Sequence, residues 1–149
     1  MPMEPSRDLA HLLSHAERRL ASRLAASLEG ENCSVEEWRV LKFLADGNGH
    51  PMSEIADFAM LPAPTLTKLT DRMVSEGLVY RRADERDRRR VLAYLSERGL
   101  RLQERVSRLV GAIEADLLGA LGDEGELARW LTRLGKILDA QATAVGSRG

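Results

Sequence analysis

The 149-residue chain has one cysteine, Cys33. An internal disulfide framework is therefore excluded, and a lone thiol suits a reducing compartment, with the cytoplasm as the default. Aromatic residues make up only 4%, so a core has to be assembled from Leu, Ala, Val and Ile. No apolar run approaches the roughly 18–20 residues that a membrane span needs, which predicts no membrane partner. Residues 1–7 include Glu4 and two prolines, with no apolar stretch of signal-peptide type behind them. Walker-type glycine loops, nucleophile elbows and Cys–His pairs at informative spacing are also missing. Nothing therefore suggests an enzyme, a cofactor or a metal centre.

The net charge is small, −1, but its distribution is uneven. Residues 62–98 hold nine Lys/Arg against six Asp/Glu, whereas the remainder holds thirteen against seventeen. A locally basic segment on an acidic scaffold suits a protein that offers one surface to a polyanion. Charge alone leaves a solvated charge run equally open.

The length fits one domain. Leu9, Leu12, Leu13, Ala16, Leu20 and Leu24 recur at helical steps, predicting an amphipathic helix over 6–28 with Gly30 as its stop. Ser34-Val35-Glu36-Glu37 matches a capping box, in which the serine takes a backbone N–H and the glutamate reaches back to the cap. A second helix then runs to about Asp46, and Gly47-Asn48-Gly49-His50-Pro51 breaks it. A short helix is expected over 53–59. Pro62 and Pro64 mark the start of the next, and Gly77 ends it. The β-prone runs 78–82 and 91–95, separated by a very polar stretch, predict an antiparallel hairpin. Ser96 or Glu97 opens a long helix containing Gly111, which suggests a close contact or a bend. A break over 119–125 precedes a last helix, fraying from Ala142.

The short helices over 53–72 form a helix-turn-helix candidate. Leu66, Leu69 and Met73 would be the buried face of the second. Its other face offers Ala63, Thr65, Thr67, Lys68 and Arg72, which are small, hydroxyl-bearing or cationic groups suited to base edges and phosphates. The prolines remove some N-terminal N–H donors. The hairpin tip reads Asp84-Glu85-Arg86-Asp87-Arg88-Arg89-Arg90. Asp84 and Asp87 stand at spacings that let them orient the Arg86 guanidinium, and an arginine so presented suits a narrow minor groove.

These runs resemble the MarR (multiple antibiotic resistance regulator) family of winged helix-turn-helix transcriptional regulators. The likeness rests on Ile55-Ala56-Asp57, on Thr65 to Met73, and on Gly77-Leu78-Val79. It also rests on Asp84 to Arg89 and on Leu95-Ser96-Glu97-Arg98-Gly99, with Ser34 to Leu41 similar to the family's second helix. The resemblance implies a mainly α fold with a small β-hairpin wing and a single domain, 1–149. Within it, 34–96 would be the winged helix-turn-helix DNA-binding region, with dimerisation helices over 6–33 and 97–143.

The same resemblance implies a homodimer binding double-stranded DNA at a palindromic operator, as a repressor released by a small hydrophobic or phenolic effector. Carried over by position, Pro64, Thr65, Thr67, Lys68 and Arg72 would meet the major groove. Arg86 would meet the minor groove, with Arg88 also acting from the wing and with Asp84 and Asp87 orienting Arg86. The chain departs from the family pattern at Met60, where a small or polar residue is usual, and at Pro62, where a hydroxyl or acidic cap is usual.

Family effector pockets lie between the first, second and fifth helices, which makes His11, His15 and Trp38 candidates for lining one. A tryptophan at such a position is more often simply core. His11 and His15 are four apart, as two metal ligands could be, yet no third ligand completes a set. Glu31, Glu36 and Glu37 surround Cys33, an unfavourable setting for a reactive thiolate. A winged-helix module binding an acidic protein partner, without DNA, is the competing reading.

Overall fold

In the computed structural model the described residues are 8–146. The N-terminal segment read as lacking a leader, and positions 6 and 7 of the first predicted helix, lie outside them. The first helix, α1, spans Leu9–Leu28. Asp8 caps it by accepting the N–H groups of Ala10 (3.1 Å) and His11 (3.3 Å).

Gly30 does not stop α1. A 3₁₀ turn, Glu29–Glu31, follows, and Asn32 takes the left-handed backbone at φ 52°. The Cys33 N–H donates to the Leu28 carbonyl (3.3 Å) and the Asn32 N–H to that of Glu29 (2.9 Å), a Schellman closure. Asparagine accepts this conformation because its short polar side chain bonds locally.

Helix α2, Val35–Leu44, begins at Ser34, whose hydroxyl accepts the Glu37 N–H at 3.0 Å. Only this half of the expected capping box forms. The Glu37 carboxylate turns instead to the Arg72 guanidinium, and the side chain is buried. A buried carboxylate gains more from a cation than from a further backbone N–H.

A two-residue strand, β1 (His50–Pro51), precedes α3, Met52–Ala59. Helix α4 is Ala63–Ser75, and strands β2 (Val79–Ala83) and β3 (Val91–Leu95) form the hairpin. The sheet order is β1-β3-β2, all antiparallel, with Val79 opposite Leu95, Arg81 opposite Ala93 and His50 also opposite Ala93. Two residues are too few for alternation to show, which is why β1 escapes a pattern reading. Pro51 is tolerated because β1 is an edge strand.

Helix α5, Glu97–Leu121, and helix α6, Glu126–Gly146, complete the chain. The expected fraying from Ala142 is not seen, since α6 continues to Gly146. The protein is thus mainly α with a small antiparallel sheet, a winged helix-turn-helix fold.

The chain divides after Gly111 into two compact units. The first has a core in which Leu28, Leu41, Leu44, Ile55, Leu66, Met73 and Val106 are fully buried. Burial of each such side chain stabilises by roughly 1.5–3 kcal/mol relative to exposure. In this unit Ser96 ties the hairpin to α4. Its hydroxyl donates to the Gly77 carbonyl (2.6 Å) and accepts the Gly99 N–H (2.9 Å). Gly99 lies against the Leu78 carbonyl, where a Cβ would collide with backbone.

The second unit starts at Ala112 and contains α6. Asp123 caps that helix, accepting from Gly125 (2.9 Å), Glu126 (2.6 Å) and Leu127 (3.1 Å). No residue of α6 is buried. A Cβ at Gly111 would meet nothing within 4 Å, so no neighbour among the described residues accounts for that glycine.

Candidate nucleic-acid interface

The turn between α3 and α4 depends on Met60, a non-glycine residue at φ 56°. The Leu61 N–H donates to the Ala56 carbonyl (3.1 Å) and the Met60 N–H to that of Asp57 (3.3 Å), again a Schellman closure. Left-handed backbone costs a residue with a Cβ roughly 1–2 kcal/mol. Its side chain gains nothing from the core in return, being 70% exposed.

Helix α4 starts after Pro62, with Pro64 in its first turn. Two prolines there leave the Ala63 and Thr65 N–H groups as the first-turn donors ahead of Leu66, whose N–H closes on the Pro62 carbonyl (3.0 Å). Leu66, Thr70 and Met73 are the buried face, whereas Leu69 is half-buried. Thr70 thus takes a place read for leucine, and its hydroxyl has no hydrogen-bond partner among the described residues.

Pro64, Thr65, Thr67, Lys68 and Arg72 are all exposed on this helix. The Thr67 hydroxyl donates to the Ala63 carbonyl at 2.9 Å, which holds the rotamer and keeps the oxygen's acceptor capacity outward. Arg72 is not a free cation, because its guanidinium pairs with Glu37 of α2. Its neighbour Asp71 pairs with Arg81 of β2 at 2.5 Å. Helix α4 is therefore tied on one side to α2 and on the other to the wing.

At the hairpin tip the aspartates orient backbone rather than guanidinium. Asp84 Oδ1 accepts the Arg86 N–H (3.0 Å) and Asp87 Oδ1 accepts the Arg89 N–H (3.1 Å). These are two successive Asx turns, closed by Asp84 N–H to the Arg90 carbonyl (2.9 Å). The expectation that the acids hold the Arg86 side chain is corrected. A carboxylate two residues before an N–H reaches it without ordering any long side chain, so the cheaper bond forms. Arg86 and Arg88 are exposed, and neither has an ion-pair partner among the described residues.

The predicted effector residues are not gathered into one cavity. His11 and His15 stack with ring centroids 6.1 Å apart on exposed α1 positions. Trp38 is buried, with the Lys42 ammonium 5.1 Å from its ring centroid. A cavity of about 720 Å³ lies instead between α1, the start of α2 and the end of α4, and Cys33, Glu37 and Arg72 are among its walls. Cys33 is pushed up to about 12 by burial and by the charges of Glu37, Glu31 and Glu76. Its thiol therefore stays protonated near neutrality. Among the described residues no His, Cys, Asp or Glu group is arranged to hold a metal ion, and no helix is long and apolar enough to cross a membrane.

Sequence reasoning missed His50. Its Nε2 lies 2.9 Å from Asp46 Oδ2 and its Nδ1 3.2 Å from Glu54 Oε2, with its ring 4.5 Å from that of Phe43. The i,i+4 spacing of both acids was visible, but a reading of the segment as a loop break hid it.

A helix-turn-helix followed by a hairpin with a basic tip is a winged-helix arrangement. The MarR family model matches residues 33–91. The HTH-type transcriptional regulator FarR of Neisseria gonorrhoeae is 29% identical over 130 residues, covering 86% of this chain and 89% of that protein. The MarR family transcriptional regulator SPO1453 from Silicibacter pomeroyi DSS-3 superposes with a TM-score of 0.79 at 27% identity, over 89% of this chain and 96% of that one. NadR, solved with 4-hydroxyphenylacetate, gives 0.72 at 26% identity, over 95% and 97%. The chain is thus similar over most of its length to transcriptional regulators of the MarR type, with the family model itself matching its central part.

Proposed function

We propose that the chain is a cytoplasmic repressor that binds a palindromic operator as a homodimer and is released by a small-molecule effector. The observation that carries this reading is the exposed hydroxyl-and-cation face of α4, Thr65 to Lys68, tied through Asp71–Arg81 to a hairpin whose Arg86 and Arg88 have no ion-pair partner among the described residues. Unpaired exposed guanidinium groups on a backbone-ordered tip are ready for phosphate or a narrow minor groove. Pro64 and Thr65 at the helix start, Thr67 and Lys68 along it, and Arg86 and Arg88 on the wing are the proposed DNA contacts. Arg72, paired with Glu37, serves them by holding α4 against α2. Asp84 and Asp87 serve by shaping the tip.

The homodimer is supported by the apolar residues that α1 and α6 leave exposed. Leu9, Leu12 and Leu13 do so on α1, and Leu127, Trp130, Leu131, Ile137 and Leu138 on α6. Faces of this kind are what an obligate subunit interface covers. The segments 6–33 and 97–143 are thus the proposed dimerisation helices around a DNA-binding region, 34–96. Two-fold symmetry would set the paired α4 helices roughly 34 Å apart on a near-palindromic site.

The test is a gel shift against the chain's own upstream DNA, followed by a salt titration. Arg86→Ala is expected to weaken binding and to reduce the salt slope by about 1, as loss of one phosphate contact does. An unchanged slope removes the wing from the mechanism. Failure to bind any neighbouring promoter at low salt, together with capture of a protein partner, favours a protein-binding module instead.

A further inference from the structure

The cavity between α1, α2 and α4 has a strongly acidic wall. Glu17 and Glu29 reach it from the α1 side, Glu36 and Glu37 from α2, and Glu76 from the end of α4. Against these five carboxylates stand only Arg39 and Arg72. Arg39 is 4.0 Å from Glu17, and Arg72 pairs with Glu37. With all seven ionised the lining therefore carries a net charge of −3.

A second feature is the bonding state of one of these carboxylates. Glu37 is only 5% exposed, and while Oε1 is engaged by Arg72, Oε2 is buried with no hydrogen-bond partner among the described residues. An unsatisfied buried carboxylate oxygen is costly, and a donor supplied from the cavity would remove that cost. Burial raises the Glu37 pKa, with Glu76 adding to the rise and Arg72 opposing it. Glu37 and Glu76 also help to push Cys33, another lining residue, upward.

Because Oε2 is closed to solvent, a ligand reaches it only if the lining moves. Arg72 is the side chain able to leave, since 55% of it is exposed although its partner is buried. We propose that this cavity is a binding site for a small organic cation, an amine or guanidine, which takes Glu37 over from Arg72. Glu76 supplies the second carboxylate. The cation thereby breaks the tie between α2 and α4 and frees Arg72 on the helix that carries the proposed DNA contacts. Ligand and helix are coupled through this one exchange.

The inference deepens the effector half of the proposed function and changes its chemistry from phenolic to cationic. Isothermal titration calorimetry of the full chain without DNA tests it, with agmatine as probe and salicylate as the anionic aromatic comparison. Agmatine is expected to bind, Glu37→Gln to weaken it by at least about tenfold, and Glu76→Gln, at an exposed position that leaves the fold intact, by several-fold. Arg72→Gln, which removes the competitor, is expected to tighten it. No agmatine binding up to roughly 10 mM overturns the proposal, as does equal binding by wild type and both glutamate variants. Salicylate binding that the glutamate variants strengthen also overturns it, because the cavity would then be an anion site held back by its own acids. A chain that binds agmatine but no promoter DNA leaves this site standing and defeats only the repressor reading.

Discussion

Helices α4 and α6 carry the same kind of apolar periodicity and bury it differently. In α4, Leu66, Thr70 and Met73 are closed off from solvent within the same compact unit. In α6 no residue is buried, and Trp130 remains 65% exposed although Leu127, Leu131, Leu134 and Leu138 line up beside it. A 3.6-residue repeat of leucines states that a face must be covered and is silent on which chain covers it. The helix-turn-helix can complete itself within one subunit. The α6 face, on the reading proposed above, is completed by a second copy.

The strongest way to break this contrast is to charge the α6 face. Trp130→Glu with Leu131→Glu is expected to weaken self-association by more than about 100-fold, since buried aromatic anchors commonly carry over 2 kcal/mol each. Analytical ultracentrifugation reads the result. Because neither side chain is buried in the chain itself, far-ultraviolet circular dichroism of the first unit's helices should survive. An unchanged sedimentation coefficient would show that the seam lies elsewhere.

Two glycines sharpen the comparison at smaller magnitude. Gly99→Ala drives a Cβ into the Leu78 backbone carbonyl and should destabilise by about 1–3 kcal/mol, seen as a lower urea midpoint at unchanged slope. Gly111→Ala meets open space among the described residues and should stabilise by about 0.8–1 kcal/mol through helix propensity alone. A loss at Gly111 would mean that a partner chain packs there.

The smallest effect is expected at His50. Burial lowers its pKa, but the hydrogen bonds and charges of Glu54 and Asp46 outweigh that and the net shift is upward. A folded-state pKa above the unfolded value means that the contribution is complete below the unfolded pKa, near 6.5, and disappears as pH rises through the folded value. His50→Gln should therefore cost on the order of 1 kcal/mol or less at pH 5.5, and its difference from wild type should shrink toward pH 8. Equal thermal midpoints at both pH values for the two proteins would remove the ion-pair role.

Much of this architecture was legible along the chain. The Ser34 cap, the αL glycine at 77 and strand β3 stand where spacing and composition put them, because each is set by bonds within a few residues. The left-handed residue after α1 is Asn32 where Gly30 is the expected stop, since helix ends select a backbone angle and not a residue type. Among the candidate site residues, the exposure of Thr65, Thr67, Lys68, Arg86 and Arg88 was legible from amphipathic phase and polar composition. The engagement of Arg72 by Glu37 was not, because those residues are 35 apart in the chain. The Asx turns of Asp84 and Asp87 were visible as spacing and assigned to the wrong donor.

By itself the sequence determined the order of helices and strands, the absence of a membrane-spanning helix among the described residues and the basic bias of 62–98, all consequences of local pattern and composition. Only the tertiary structure decided that Glu37 is buried against Arg72, that Gly99 must lack a side chain, and that α1, α2 and α4 border an open acidic cleft. The reason is distance along the chain. Hydrogen bonds two to five residues apart can be read in order, whereas burial and pairing across thirty residues depend on how the helices pack.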